Sequence, residues 1–229
     1  NNVASVYHKM GDYRKALATY QRALTIRQQL VPPNHPSLAS IYNNIGNVHH
    51  STDNYPEALA AYEEALAIQH RSLPPEHPDI ASSHSNVGLV YNSMGDYSKA
   101  LTSHQKALAI HEHLRPPNHV HLASAHSSMG AVYKSIGDWS KALASHETAL
   151  AIQQESLPAT HPDLAMSYNN IGAAYQCMGD YPQALASYEK ALTIKQQSLS
   201  PDHPDLAISY NNLGLLYEEM GNYSNACSL

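Results

Sequence analysis

LASIYNNIGNVHHSTDNYPEALAAYEEALAI, residues 38–68, decides the fold. In its first half Leu38, Ile41, Tyr42, Ile45 and Val48 fall three or four positions apart, which places them on one stripe of a helix. Its second half repeats the pattern through Ala58, Ala61, Tyr62, Ala65 and Ile68, and between the halves stands Asp53-Asn54. The stretch therefore predicts two amphipathic helices, A and B, joined by a tight turn.

The same hairpin returns every 42 residues. Advancing from Gly11 gives Asp53, Gly95, Gly137, Gly179 and Gly221, each followed two residues on by an aromatic: Tyr13, Tyr55, Tyr97, Trp139, Tyr181, Tyr223. Ala16, Ala58, Ala100, Ala142, Ala184 and Ala226 form another column, and Ala23, Ala65, Ala107, Ala149 and Ala191 a third. A fixed period of this length is the mark of a repeat architecture, here a single array read as a partial copy 1–35, full copies 36–77, 78–119, 120–161 and 162–203, and a partial copy 204–229. Neither end completes a helix pair, so the sequence is expected to belong to a longer array.

Glycine has two uses in this pattern. The Gly11 column closes helix A, where a left-handed backbone is needed and Asp53 is the one substitute. Gly46, Gly88, Gly130, Gly172 and Gly214 instead lie inside helix A, where Gly costs about 1 kcal/mol against Ala, so the A and B helices are expected to pack too closely there for a side chain. Helix B ends at prolines, as in SLPPEHPDIA (residues 72–81), with a second Pro suited to the first turn of the next helix. The histidines just before that turn, His35, His77, His119, His161 and His203, offer either a metal ladder or imidazoles that close the turn; copies one repeat apart favour the latter.

Composition narrows the function. A formal charge of −6 and a pI near 6.2 supply no uniform basic surface for nucleic acid, and no apolar run approaches the roughly 20 residues of a membrane span. The opening NNVASVYHKMGDY lacks the order of a signal peptide, and a cytoplasmic setting is the default expectation. Cys177 and Cys227 form no motif. The histidine-rich stretch His111, His113, His119, His121 lacks cysteine partners, and no phosphate-cradling loop or nucleophile elbow is found, so neither metal, cofactor nor catalysis is predicted.

Tyr42, Ile45, Gly46, Ala58, Tyr62 and Ala65 reproduce the spacing of the tetratricopeptide signature, and the 42-residue unit resembles the repeats of kinesin light chains. The resemblance covers essentially the whole chain. It implies an all-α, right-handed superhelical solenoid of antiparallel helix pairs, with helices A lining a concave face that binds protein segments. On that face fall Asn43, Asn44, Asn47 and His50 of copy 2, then Asn86, Asn92, Lys134, Asn169, Asn170, Asn211 and Asn212. The pairs Asn1/Asn2, Ser85/Asn86, Ser127/Ser128 and their equivalents admit two readings: amides that hold the main chain of an extended peptide, or bonds between helices that fix stacking. In kinesin light chains, the resemblance implies, matching Asn residues hold cargo backbone and basic side chains favour acidic motifs. Here only Lys9 and Lys134 are cationic on the face, and Glu218 and Glu219 make its far end acidic, so an uncharged, hydrogen-bonding groove is expected. The leading expectation is a peptide- or helix-binding scaffold. The alternatives are a structural protein that polymerises end to end through its oppositely charged ends, or a regulatory repeat domain of a larger enzyme.

Two aromatic columns carry substitutions. His84 and His126 replace the tyrosines of Tyr42, Tyr168 and Tyr210, while His104 and His146 replace those of Tyr20, Tyr62 and Tyr188. These imidazoles are expected to be buried, neutral and hydrogen-bonded, loosening the middle of the array in acid.

Overall fold

The computed structural model describes residues 2–114 and 118–226, and these hold twelve α-helices and no strand. Asn1 and Cys227 lie outside the described residues. The chain divides into two compact units after Pro117. The first contains α1 (Asn2–Lys9), α2 (Tyr13–Leu30), α3 (Pro36–Ser51), α4 (Tyr55–Ser72), α5 (Pro78–Ser93) and α6 (Tyr97–His113). The second contains α7 (His119–Ile136), α8 (Trp139–Ser156), α9 (Pro162–Cys177), α10 (Tyr181–Ser198), α11 (Pro204–Glu219) and α12 (Tyr223–Ala226). Odd-numbered helices are the A members of each pair and even-numbered ones the B members.

The glycines that close helix A do what their position requires. Gly11, Gly95, Gly137, Gly179 and Gly221 have φ between 71° and 83°, and Asp53 is the one described non-glycine residue with positive φ, at 57°. Inside helix A, a Cβ on Gly46 would stand 2.6 Å from the ring of Tyr62, one on Gly88 2.7 Å from His104, one on Gly130 2.6 Å from His146 and one on Gly172 2.8 Å from Tyr188. These four hairpins are each closed by a ring laid on bare helix backbone, whereas Gly214 meets nothing within 4 Å, so the close approach expected there is not found in the last copy. Around these contacts Ala58, Ala65, Ala100, Ala107, Ala142, Ala149, Ala184 and Ala191 are essentially without solvent exposure, small residues that let the helices approach.

The histidine before each A helix is its cap. Nδ1 of His77, His161 and His203 accepts the backbone N–H of Asp79, Asp163 and Asp205 at 3.1–3.2 Å, and His35 accepts that of Ser37 at 3.2 Å. Each ring therefore presents an unprotonated Nδ1 to one of the donors that a helix leaves unpaired at its start. His119 departs from its column: Asn118 caps α7 by accepting from His121 N–H at 3.2 Å, and His119 is the first helical residue. In that copy Val120 stands where Pro36, Pro78, Pro162 and Pro204 begin the other A helices, so nothing confines the start of helix to the residue after the histidine.

Successive hairpins are joined by a second set of bonds, from the last turns of helix B to the next helix A. Gln28, Gln154 and Gln196 donate to the hydroxyls of Tyr42, Tyr168 and Tyr210. One position earlier, Gln69 donates to the carbonyl of Asp79, Gln153 accepts from the buried Ser167 hydroxyl at 2.6 Å, and Lys195 donates to the Asp205 carbonyl and to Ser209.

Candidate functional site

The layer of A helices presents the candidate residues, and the two units show it separately. In the first unit the face is built from α3 and α5. Asn43 Nδ2 donates to Ser83 Oγ at 2.8 Å, and the hydroxyl returns a bond to Asn43 Oδ1 at 3.2 Å, with Ser83 fully buried. His50 Nε2 meets Ser93 Oγ at 3.2 Å, and His8 meets Ser51 in the same way at 3.0 Å. These contacts run between neighbouring A helices, so Asn43 and His50 register one copy on the next. Asn47 accepts the Tyr62 hydroxyl at 2.6 Å within its own hairpin. Burial alone pushes the Tyr62 phenol well above its ordinary pKa, so it remains a donor.

The second member of each pair behaves differently. Asn44 and Asn86 in the first unit, and Asn170 and Asn212 in the second, are half-buried, and their side-chain amides bond no other described residue. They retain donor and acceptor capacity for something outside the chain. Asn92 and Asn169 form a third group: the Oδ1 of each is shielded from solvent and has no partner among the described residues. Asn211 and Lys134 are exposed, and Lys134 is the one cation carried by α7.

In the second unit the chemistry of the face changes along the array. The column that reads Ser40, Ser82 and Ser124 in earlier copies becomes Met166 and Ile208, 57% and 55% exposed. Leu215, 48% exposed, adds a third apolar group on α11. Between α9 and α11 lies a cleft of about 280 Å³ lined by Asp163, Met166, Asn169, Leu199, Asp205 and Ile208 among others. The sequence reading missed this cleft, though the serine-to-apolar switch in one column was its signal.

Of the substituted aromatics, His104 and His146 are buried, whereas His84 and His126 are only half-buried, short of the expected burial. His104 has no exposure and neither ring nitrogen has a hydrogen-bond partner among the described residues; Nδ1 of His146, 3% exposed, also has none. This corrects the expectation that they are hydrogen-bonded. The tyrosines of the column carry hydroxyls past the glycine contact, Tyr62 to Asn47 and Tyr188 to Gln176 at 2.9 Å, and imidazole is too short to follow. Burial lowers His104 to about 4, and burial reinforced by Lys134 does the same for His146. His84 is lowered to about 4 by burial, with Lys106 and His70 adding to it; its ring lies 6.0 Å from that of His70. Among the described residues no three His, Cys, Asp or Glu side chains gather to hold a metal ion, and no helix is long and apolar enough to cross a membrane.

Closed helical hairpins, joined within each unit by a repeated junction, define a helical repeat protein of the scaffold class. The tetratricopeptide repeat family model matches residues 1–71, 79–155 and 163–227, and the chain belongs to that family. Among solved structures it is similar to BtubC (BKLC) from P. vanneervenii, with a TM-score of 0.80 and 22% identity over 94% of this chain and 87% of that one. It is also similar to a putative kinesin light chain with nearly identical TPR-like repeats from Podosopora anserina, at TM-score 0.72 and 22% identity, covering 86% of this chain and 93% of that one. The apo form of RapI matches at TM-score 0.73 and 21% identity, over 93% of this chain and 56% of that one. No curated protein matches the sequence.

Proposed function

We propose that the protein is a peptide-binding scaffold whose A helices hold extended segments of a partner protein, through Asn44 and Asn86 in the first unit and through Asn170 and Asn212 in the second. The observation that carries this reading is the column Asn44, Asn86, Asn170 and Asn212, set beside Asn43, the engaged asparagine of its pair. Asn43 is engaged with Ser83, whereas the neighbouring column is half-buried with its amides unengaged. Asn is a mediocre helix residue, so an unengaged copy at the same repeat position on two A helices of each unit calls for an external partner. A peptide main chain offers the alternating donors and acceptors that such amides match, each bond contributing about 0.5–1.5 kcal/mol net. The family's general use as a protein-interaction scaffold supports the same conclusion.

The test is a peptide-display selection on the full chain, repeated with Asn44, Asn86, Asn170 and Asn212 all changed to Ala. Enriched peptides are expected to lose at least ten-fold in affinity on the variant while helicity stays unchanged. Equal binding by the two proteins refutes the assignment.

A further inference from the structure

The cleft between α9 and α11 differs from the rest of the face in being both apolar and acidic. Met166 and Ile208 form opposed, exposed apolar walls, and Leu199 closes the side nearest α10. The carboxylates of Asp163 and Asp205 belong to its lining, and the one ammonium there, on Lys195, is held by the Asp205 carbonyl at 3.2 Å and Ser209 Oγ at 2.9 Å. The charge along both helices has one sign: α9 carries Asp163 and α11 carries Asp205, Glu218 and Glu219, with no Lys or Arg on either.

We infer that this cleft takes the side chain of a lysine or arginine, borne by a partner segment with an apolar residue beside it. A basic side chain has the required two-part form, a methylene stem for the Met166 and Ile208 walls and a donor-only cationic head for the carboxylates of Asp163 and Asp205. An acidic side chain meets two carboxylates against a single ammonium, that of Lys195, two of whose three N–H groups are already bonded. A purely apolar one leaves both charges uncompensated. The acid-only surface of α9 and α11 draws the same partner from a distance, by an attraction that salt screens. The inference rests on the reading of the A-helix face as a peptide site and specifies what its second unit selects.

Fluorescence anisotropy with labelled peptides of about twelve residues tests it on the full chain. The peptides share a neutral frame and a Leu-Xaa pair in which Xaa is Lys, norleucine or Glu, on the expectation that such a pair spans one cleft. The Lys peptide is expected to bind at least ten-fold more tightly than the Glu peptide, with the difference shrinking as salt is raised. Asp163→Asn with Asp205→Asn weakens the Lys peptide about five-fold or more and leaves norleucine unchanged. Met166→Ser with Ile208→Ser, the residue type earlier copies carry on exposed surface, weakens Lys and norleucine peptides together. Equal affinity for Lys and Glu peptides, or indifference of the Lys peptide to the double Asn variant, overturns the proposal. If peptides bind without charge preference yet lose affinity on changing Asn170 and Asn212 to Ala, this inference fails and the peptide-binding face stands. If none of the three binds, the inference fails, and an empty display selection beside it removes the peptide-binding face as well.

Discussion

His104→Tyr is expected to stabilise the first unit, and to do so more in acid than at neutral pH. The ring position is shared with Tyr62 and Tyr188, which lie on Gly46 and Gly172 as His104 lies on Gly88, so the larger ring has a precedent at the same contact. Its hydroxyl extends toward the column that holds Gln176 in copy 5, the partner of Tyr188, and in copy 3 that column holds Asn92, whose Oδ1 is buried and unpaired. Satisfying a buried acceptor and filling the site contributes about 1–2 kcal/mol at about pH 7.5.

The pH dependence adds to this. A histidine at 6.5 when unfolded and about 4 when folded takes its proton more readily in the unfolded chain. The neutral ring's contribution is complete above 6.5 and is lost as pH falls from there to about 4; by about pH 5.5 the loss is about 1 kcal/mol. His104→Tyr removes that loss, so its advantage over the parent grows to about 2–3 kcal/mol at about pH 5.5. Hydrogen exchange read by mass spectrometry over α5 and α6 gives the local opening free energy at each pH. The second unit is an internal control, because His146 is untouched and Trp139, the sole tryptophan, reports its unfolding by fluorescence. A destabilised variant at neutral pH, or one that loses as much stability on acidification as the parent over α5 and α6, refutes the reasoning.

The close approach of the hairpins predicts a contrast between two glycines. Gly172→Ala puts a methyl 2.8 Å from the Tyr188 ring and is expected to cost about 1–3 kcal/mol by denaturant titration, whereas Gly214→Ala, with nothing within 4 Å, is expected to be neutral or to gain up to about 1 kcal/mol in helix propensity. The capping histidines predict a second contrast. His161→Ala removes the acceptor for Asp163 N–H and is expected to cost about 1 kcal/mol, while His161→Asn, which installs the type of cap that Asn118 supplies in the neighbouring copy, is expected to cost a few tenths at most. Equal losses for the two substitutions exclude a capping role.

Most of the hairpin could be read along the chain because its determinants are local. Gly95 or Asp53 marks a helix end by its own backbone, and the proline after each capping histidine marks a start. The spacing of sixteen residues from Gly46 to Tyr62 was visible as two columns, and the structure adds that the two touch. What local reading missed depends on partners one repeat away. Nothing around Asn43 announces that its bond goes to Ser83, because in the serine's own column Ile41 and Ala125 stand in other copies. The two asparagines of a pair are equivalent in sequence and become different only when one of them faces the next A helix. His119 misled for the opposite reason: its column position was right, but the missing proline released the helix start. The cleft beside Met166 escaped notice because it exists only between two helices.

The junction bonds draw their own boundary through the chain. Gln154 with Tyr168, Gln153 with Ser167, and Lys195 with Ser209 each take one residue from the end of a copy and one from the start of the next. A segment cut at the prolines, where the period reads most clearly, separates every such couple. A segment cut in the middle of helix B keeps each of these couples whole and divides instead the alanine-lined hairpin core and the bonds between A helices, such as Asn43 with Ser83. Exchange of repeats with a crossover inside helix B is therefore expected to keep the junctions from helix B to the next helix A intact, and the unit those junctions define is offset by half a hairpin from the hairpin itself.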